Sequence, residues 1–170
     1  MSTGSTFFGL IDPKAYPKPE EAARLKIGIV TALWNHEYTE QLTSGCTAAL
    51  RNKGVISSNI FLHQVPGCFE IPLGCQWLHQ YSEIDALIAL GCLIKGETPH
   101  FDFIAESVTQ GLMNLMLHIN IPVVNGILTV YSNGQAVERL GGSHGHKGKE
   151  AAETALQMLQ LKAGLNSTAI

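Results

Sequence analysis

Ala86-Leu87-Ile88-Ala89-Leu90-Gly91-Cys92-Leu93-Ile94-Lys95-Gly96-Glu97-Thr98-Pro99-His100-Phe101-Asp102-Phe103 joins three structural signals in one run. The apolar segment Asp85–Ile94 reads as a strand buried on both faces. Gly96 marks a turn. Thr98 is a favourable N-cap, and Pro99 suits the first helical position, where its missing N–H would find no partner anyway. The segment therefore predicts strand, turn and helix N-terminus. Unpaired N–H groups and the positive end of the helix dipole make such a terminus receptive to an anion such as phosphate. His100 lies in that first turn. The helix dipole disfavours its imidazolium and a bound phosphate favours it, so proton exchange near neutral pH is accessible to it.

The same alternation extends in both directions. Strands are expected at Lys26–Thr31, Ile60–Val65, Asp85–Ile94 and Pro122–Thr129. Helices are expected at Glu37–Lys53, Phe69–Tyr81, Phe101–Ile119, Asn133–Leu140 and His146–Lys162. Strands that are apolar on both faces and alternate with helices predict a three-layer α/β sandwich around a mainly parallel, four-stranded sheet. Ligands of such sheets bind beyond the carboxyl ends of the strands. Those ends are Ala32–Asn35, Pro66–Glu70, Cys92–His100 and Thr129–Ser132. Before the domain, which spans 25–170, residues 1–24 read as an extended arm. Pro13, Pro17 and Pro19 argue there against a helix core, and Thr6–Leu10 is suited to pairing as a strand with a neighbouring subunit's sheet.

The 170 residues are one domain's worth, 45% hydrophobic and only 15% charged, against about 25% charged in a typical soluble domain. So few charges favour extensive self-association. A net charge of −3 without a basic cluster argues against a nucleic-acid partner. No apolar run approaches a membrane span, and Met1–Leu10 lacks the pattern of a signal peptide. Cys46, Cys68, Cys75 and Cys92 form no C-x-x-C pair and read as reduced, buried thiols of a cytoplasmic protein.

Several rim residues have both a chemical and a structural reading. Trp34 is either a core plug or a flat wall for a planar heterocycle. Glu70, in Pro66-Gly67-Cys68-Phe69-Glu70-Ile71-Pro72, is either a solvated helix-start charge or an acceptor for sugar-like hydroxyls. Arg139 either compensates a helix dipole or clamps a phosphate with two hydrogen bonds. Gly141–Gly148 fails the G-x-x-x-x-G-K-[ST] pattern and so is not a triphosphate loop. His144 and His146 lack a companion carboxylate or cysteine at metal-ligand spacing, so no metal is expected. His36, His63, His79 and His118 have no chemical context.

From Leu25 to about Lys162 the chain resembles the lumazine synthase (6,7-dimethyl-8-ribityllumazine synthase) family. The markers are Lys26-Ile-Gly-Ile-Val30, Trp34-Asn35, Pro66–Pro72, Gly91–Asp102, Pro122–Thr129, Glu138-Arg139 and His146-Lys-Gly148. The resemblance implies a flavodoxin-like fold and a transferase that needs no cofactor. Its reaction, the penultimate step of riboflavin biosynthesis, condenses 5-amino-6-(D-ribitylamino)uracil with 3,4-dihydroxy-2-butanone 4-phosphate and releases phosphate and water. It implies His100 as the proton-transfer residue and Trp34 as the stacking surface. Cys68, Phe69 and Glu70 would hold the ribityl chain and ring edge, and Cys92, Leu93 and Ile94 would offer main-chain contacts to the uracil. Glu97, Thr98 and Arg139 match the phosphate-binding positions, with Arg139 reaching into a neighbour's site, and Lys147 matches a lysine near the ligand. Asn125 stands where many members carry a ring-closing phenylalanine, and Leu33 replaces a commonly charged residue. Those departures motivate an alternative reading as a non-catalytic flavin- or lumazine-binding or shell-forming relative. The family is built on homopentamers, which some members assemble into a sixty-subunit shell, and riboflavin synthase is the implied functional partner.

Overall fold

The sheet of the computed structural model, which describes residues 15–168, has four parallel strands in the order β2-β1-β3-β4. They are β1 (Ile27–Ala32), β2 (Ile60–Val65), β3 (Ala86–Ile94) and β4 (Val123–Val130). The helices are α1 (Pro19–Ala22), α2 (His36–Asn52), α3 (Ile71–Tyr81), α4 (His100–Ile119), α5 (Asn133–Glu138) and α6 (Lys147–Thr168). A small antiparallel hairpin, β5 (Leu140–Gly142) and β6 (Gly145–His146), links α5 to α6. The expected three-layer α/β architecture is therefore present. The strand expected at Thr6–Leu10 lies outside the described residues.

The period of two along β3 divides the core. Ala86, Ile88, Leu90 and Cys92 face α2 and α6, where they meet Leu42, Cys46, Leu50, Ala152 and Leu156. Leu87 and Ala89 face α3 and α4, where they meet Ile71, Cys75, Leu78, Val108 and Leu112. Burial on both faces is the signature of a central parallel strand flanked by crossover helices. β2 forms one edge, with Leu62, His63 and Gln64 exposed. β4 forms the other edge, and there Asn125 Oδ1 accepts the Ile127 N–H at 3.0 Å.

Two segments depart from the sequence reading. Pro19–Ala22 is not extended but forms a helical turn with Ala22 fully buried. Proline at the first helical position is compatible with this. The turn is held to the domain by Asn59 Nδ2, which donates to the Ala23 carbonyl at 3.0 Å. The other departure is the cap of α4 (His100–Ile119), which is Pro99 and not the expected Thr98. The Pro99 carbonyl accepts the N–H groups of Asp102 and Phe103 at 3.0 and 3.3 Å. Thr98 is thus outside the helix and makes no cap.

α2 and α6 approach closely because Gly45 and Gly148 leave room. A Cβ on Gly45 would strike the His146 ring, and one on Gly148 would strike the Leu42 carbonyl oxygen. The second obstacle is helical backbone and cannot rotate away. Gly148→Ala is therefore expected to cost about 1–3 kcal/mol, the range for overpacking a tight interior, whereas Gly96→Ala, in open space, should cost far less. Comparing the two unfolding midpoints tests this. His146 adds a pH dependence. Burial chiefly, then Lys149, lowers its pKa below the ordinary 6.5, with Glu150 opposing, and its buried Nδ1 has no hydrogen-bond partner among the described residues. The unfolded chain takes up this proton more readily than the folded one. Stability should therefore be lost as pH falls from about 6.5 through the lowered value. His146→Gln should flatten that part of an unfolding-midpoint profile recorded between about pH 7.5 and pH 5.

Candidate active site

All four strands end on the same side of the sheet, and the loops leaving those ends are tied to one another. Leu33 N–H donates to the Val65 carbonyl at 2.8 Å and Trp34 N–H to the Pro66 carbonyl at 3.2 Å. Asn35 adopts a left-handed conformation with φ of 58°, which asparagine tolerates better than most residues. From there its Nδ2 donates to the Cys92 carbonyl at 2.8 Å. These bonds fix the turn between β1 and α2 across the ends of β2 and β3. They leave the Trp34 side chain 72% exposed above the rim, so it is a wall and not a core plug.

The opposite wall comes from the loop after β2. Gly67 N–H donates to Glu70 Oε2 at 3.0 Å, which folds Pro66–Glu70 over the strand end and leaves the second Glu70 oxygen available. Cys68 is buried beneath, and Phe69 projects outward with its ring exposed. Burial raises the Cys68 thiol to about 11 and the Cys92 thiol to about 12. Neither is therefore a thiolate nucleophile near neutral pH. Cys46 and Cys75 are likewise buried, each pushed up to about 12.

These walls enclose a cavity of about 520 Å³ lined by Trp34, Asn35, Pro66–Glu70, Cys92–Ile94, Gly96, Thr98, His100, Phe101 and Ile104. That volume suits a small-molecule ligand. Nearly every residue expected around the heterocycle thus meets in one place, with His100 and Thr98 beside them. Glu97 is exposed and outside the lining. The N–H groups of Gly96, Glu97 and Thr98 make no hydrogen bond among the described residues, so they remain free for an anion.

Asn125, Arg139 and Lys147 are elsewhere in the chain. They line a second cavity of about 330 Å³ with Ile127, Leu128, Thr129, His144 and Glu150. Arg139 is half-buried, and its guanidinium reaches only the Gln135 carbonyl, at 3.4 Å. Among the described residues no carboxylate pairs with it, while Lys147 Nζ lies 3.6 Å from Glu150. The loop that follows is organised by Glu138, whose Oε2 accepts the Ser143 N–H at 2.9 Å and the Ser143 hydroxyl at 2.6 Å. Ser143 Oγ in turn lies 3.1 Å from His144 Nδ1. These bonds hold Glu138 below the usual carboxylate range.

The sequence reading missed two participants near the first cavity. Lys95 Nζ makes a two-pronged ion pair with Asp102, at 3.0 and 2.8 Å to the two oxygens. Phe101 and Tyr131 flank it. The spacing of seven residues across a turn is not a helical pair spacing, so no periodicity reveals it. Among the described residues, no group of three or more His, Cys, Asp or Glu side chains is gathered as a metal site would require. No helix is long and apolar enough to cross a membrane.

The family model described as 6,7-dimethyl-8-ribityllumazine synthase matches residues 24–163. A 6,7-dimethyl-8-ribityllumazine synthase of Porphyromonas gingivalis is 47% identical over 138 residues, covering 81% of this chain and 86% of the relative. One from Cytophaga hutchinsonii is 50% identical over 132 residues, covering 78% and 83%. One from Flavobacterium psychrophilum is 38% identical over 166 residues, covering 98% and 86%. With a family model across most of its length and relatives this similar, the chain belongs to the 6,7-dimethyl-8-ribityllumazine synthase family.

Proposed function

We propose that this protein is a transferase that condenses 5-amino-6-(D-ribitylamino)uracil with 3,4-dihydroxy-2-butanone 4-phosphate to give 6,7-dimethyl-8-ribityllumazine, the penultimate step of riboflavin biosynthesis. The observation that carries the reading is the convergence of Trp34, Cys68–Glu70, Cys92–Ile94, Thr98 and His100 on one cavity. The pyrimidine stacks on the exposed Trp34 ring. Glu70 accepts hydrogen bonds from ribityl hydroxyls through its spare oxygen, and Leu93 and Ile94 present main-chain groups to the uracil edge. The Cys92 carbonyl already accepts from Asn35 and has one lone pair left for the ligand. The phosphate lies against the free N–H groups of Gly96–Thr98. Glu97 contributes through its main chain, its side chain being outside the cavity lining.

The chemistry requires proton movement and placement of an anion. The 5-amino group adds to the ketone and loses water to form an imine. A proton leaves the adjacent carbon, and the C–O bond to phosphate breaks as the electron pair moves onto the departing oxygen. After tautomerisation the ribitylamino nitrogen attacks the remaining carbonyl, and a second water leaves as the ring closes. His100, beside the phosphate-facing loop, carries protons between these centres.

The anion site is completed by a second subunit. Arg139, Lys147 and Asn125 cannot join His100 within one chain, because they line a different cavity. A pentamer in which one subunit's Arg139 cavity abuts the next subunit's Trp34–His100 cavity resolves the separation. The exposed Leu73, Trp77, Phe103, Met113 and Leu117 on α3 and α4 support such burial. Twelve pentamers closing into a shell are compatible with the same contact. The four buried, unpaired thiols suit a reducing cytoplasm, and riboflavin synthase is the partner that consumes the product.

Purified protein should form lumazine from the two substrates faster than their spontaneous condensation, followed by absorbance. Riboflavin binding without turnover would instead establish the non-catalytic alternative. His100→Ala should lower kcat by about tenfold to a hundredfold, the modest end of general acid–base contributions, because the reactants condense unaided. Arg139→Ala should raise KM for the butanone phosphate by about tenfold, as expected for a lost charge-assisted hydrogen bond, with kcat little changed. At butanone phosphate well below KM, assemblies of the two variants mixed after dissociation should exceed the mean of the two variants' separate rates, because some sites then hold both intact residues; a rate equal to that mean would refute a site shared between subunits.

A further inference from the structure

We infer that Lys95 and Asp102 form a clip that sets the position of the phosphate-facing loop and of His100, which makes Lys95 a positioning residue for the proposed condensation. The substrate assignment rests on that proposed reaction; the clip itself rests on geometry. Lys95 is the first residue after β3, and its N–H is fixed to the Val130 carbonyl at 2.9 Å. Its ammonium reaches over the turn to both oxygens of Asp102 in the first turn of α4. Between these anchors Gly96, Glu97 and Thr98 make no backbone hydrogen bond among the described residues. A Cβ placed on Gly96 would meet no atom within 4 Å. The span has no comparable restraint of its own, yet it supplies Gly96, Thr98 and His100 to the cavity.

A lone, partly exposed Lys–Asp pair holds little. This one is braced. The ammonium lies 5.4 Å from the Phe101 ring centroid and 5.8 Å from that of Tyr131, within reach of the rings' negative faces. The rings are 6.2 Å apart and tilted by 37°, so they narrow the conformations open to the lysine. Phe101 also lines the cavity beside His100. Clip, brace and cavity wall are one unit.

The pair acts through charge as well. Asp102 places a carboxylate two residues from His100, and Glu97 places another on the same loop. Lys95 neutralises the first of these where an incoming phosphate must settle. The two partners are therefore unequal. Lys95→Met removes the clip and leaves Asp102 uncompensated, while Asp102→Asn removes the clip but leaves a cation near the anion site.

The test uses assembled full-length protein as wild type, Lys95→Met, Lys95→Arg and Asp102→Asn. It reads amide hydrogen exchange over residues 95–103, where the hydrogen-bonded amides are those of Lys95, Asp102 and Phe103, KM for each substrate, and calorimetric binding of inorganic phosphate. Lys95→Met should speed exchange in that segment alone and raise KM for the butanone phosphate by about fivefold, the scale of a braced surface pair. KM for the ribitylaminouracil should stay within about twofold, since its contacts lie on the loops after β1 and β2 and on β3 itself, where the Lys95 main-chain bond to Val130 is untouched by the side-chain change. Asp102→Asn should loosen the segment equally but raise the phosphate KM less. Lys95→Arg, which can also grip a carboxylate with two hydrogen bonds, should restore both readings. Wild-type exchange and KM in Lys95→Met, an equal rise for both substrates, or failure of arginine to rescue would each overturn the clip while leaving the enzyme assignment intact. If wild type lacks turnover yet Lys95→Met loosens the segment and weakens phosphate binding, the clip stands and the assignment falls. Wild type that neither turns over nor binds phosphate overturns both.

Discussion

Burial of β3 on both faces is the constraint from which the rest follows. Its even-numbered residues are closed over by α2 and α6 and its odd-numbered ones by α3 and α4. A strand buried this way cannot shift by one residue without moving each side chain to the wrong core. Because β3 pairs with both β1 and β4, its register fixes where three strands end. The hydrogen bonds from Leu33, Trp34 and Asn35 then reference the rim loops to those ends. The cavity is thus assembled from main-chain geometry before any side chain makes a chemical choice, and Trp34 can stand exposed without losing its position.

The fold was legible because its signals are local. Apolar runs of the right length between turn residues marked all four strands, and β2 has the bounds read from sequence. Where reading failed, a contact between distant residues had overridden a local preference. Thr98 has the chemistry of an N-cap, but Pro99 takes that position, while Lys95 holds Asp102 across the turn. Pro19 reads as part of an extended arm, but Ala22 gains full burial by completing a helical turn against the domain.

The site was legible in part and for a different reason. The residues lining the cavity of about 520 Å³ belong largely to segments at the carboxyl ends of β1, β2 and β3, so locating the strand ends located them. No sequence pattern reveals that Arg139 and Lys147 open onto a separate cavity, because that depends on how the β5–β6 hairpin turns the chain after α5. Nor could the exposure of Trp34 be read. A tryptophan after a strand fits both a plug and a wall until the hydrogen bonds of Leu33 and Asn35 are known. Lys95 was passed over because its partner is seven residues away across an irregular turn.

The separation of the two cavities has a physical logic. If Arg139 and Lys147 lay beside Gly96–Thr98 within one chain, their charge would stand at the proposed anion site whether or not an anion were bound. In the proposed pentamer, cations from a neighbouring subunit would stand there only in the assembly. Within the single chain His100 shares a cavity with Gly96 and Thr98, and the nearby Lys95 is already paired with Asp102. The clip thus limits the net positive charge of the loop. In the proposed pentamer, association would add the remaining cations as the anion site becomes enclosed, and enclosure makes such charges effective by excluding water. With the site shared as proposed, catalysis and assembly would be coupled through electrostatics: an isolated subunit has Trp34 and His100 on one cavity, while its Arg139 lines another.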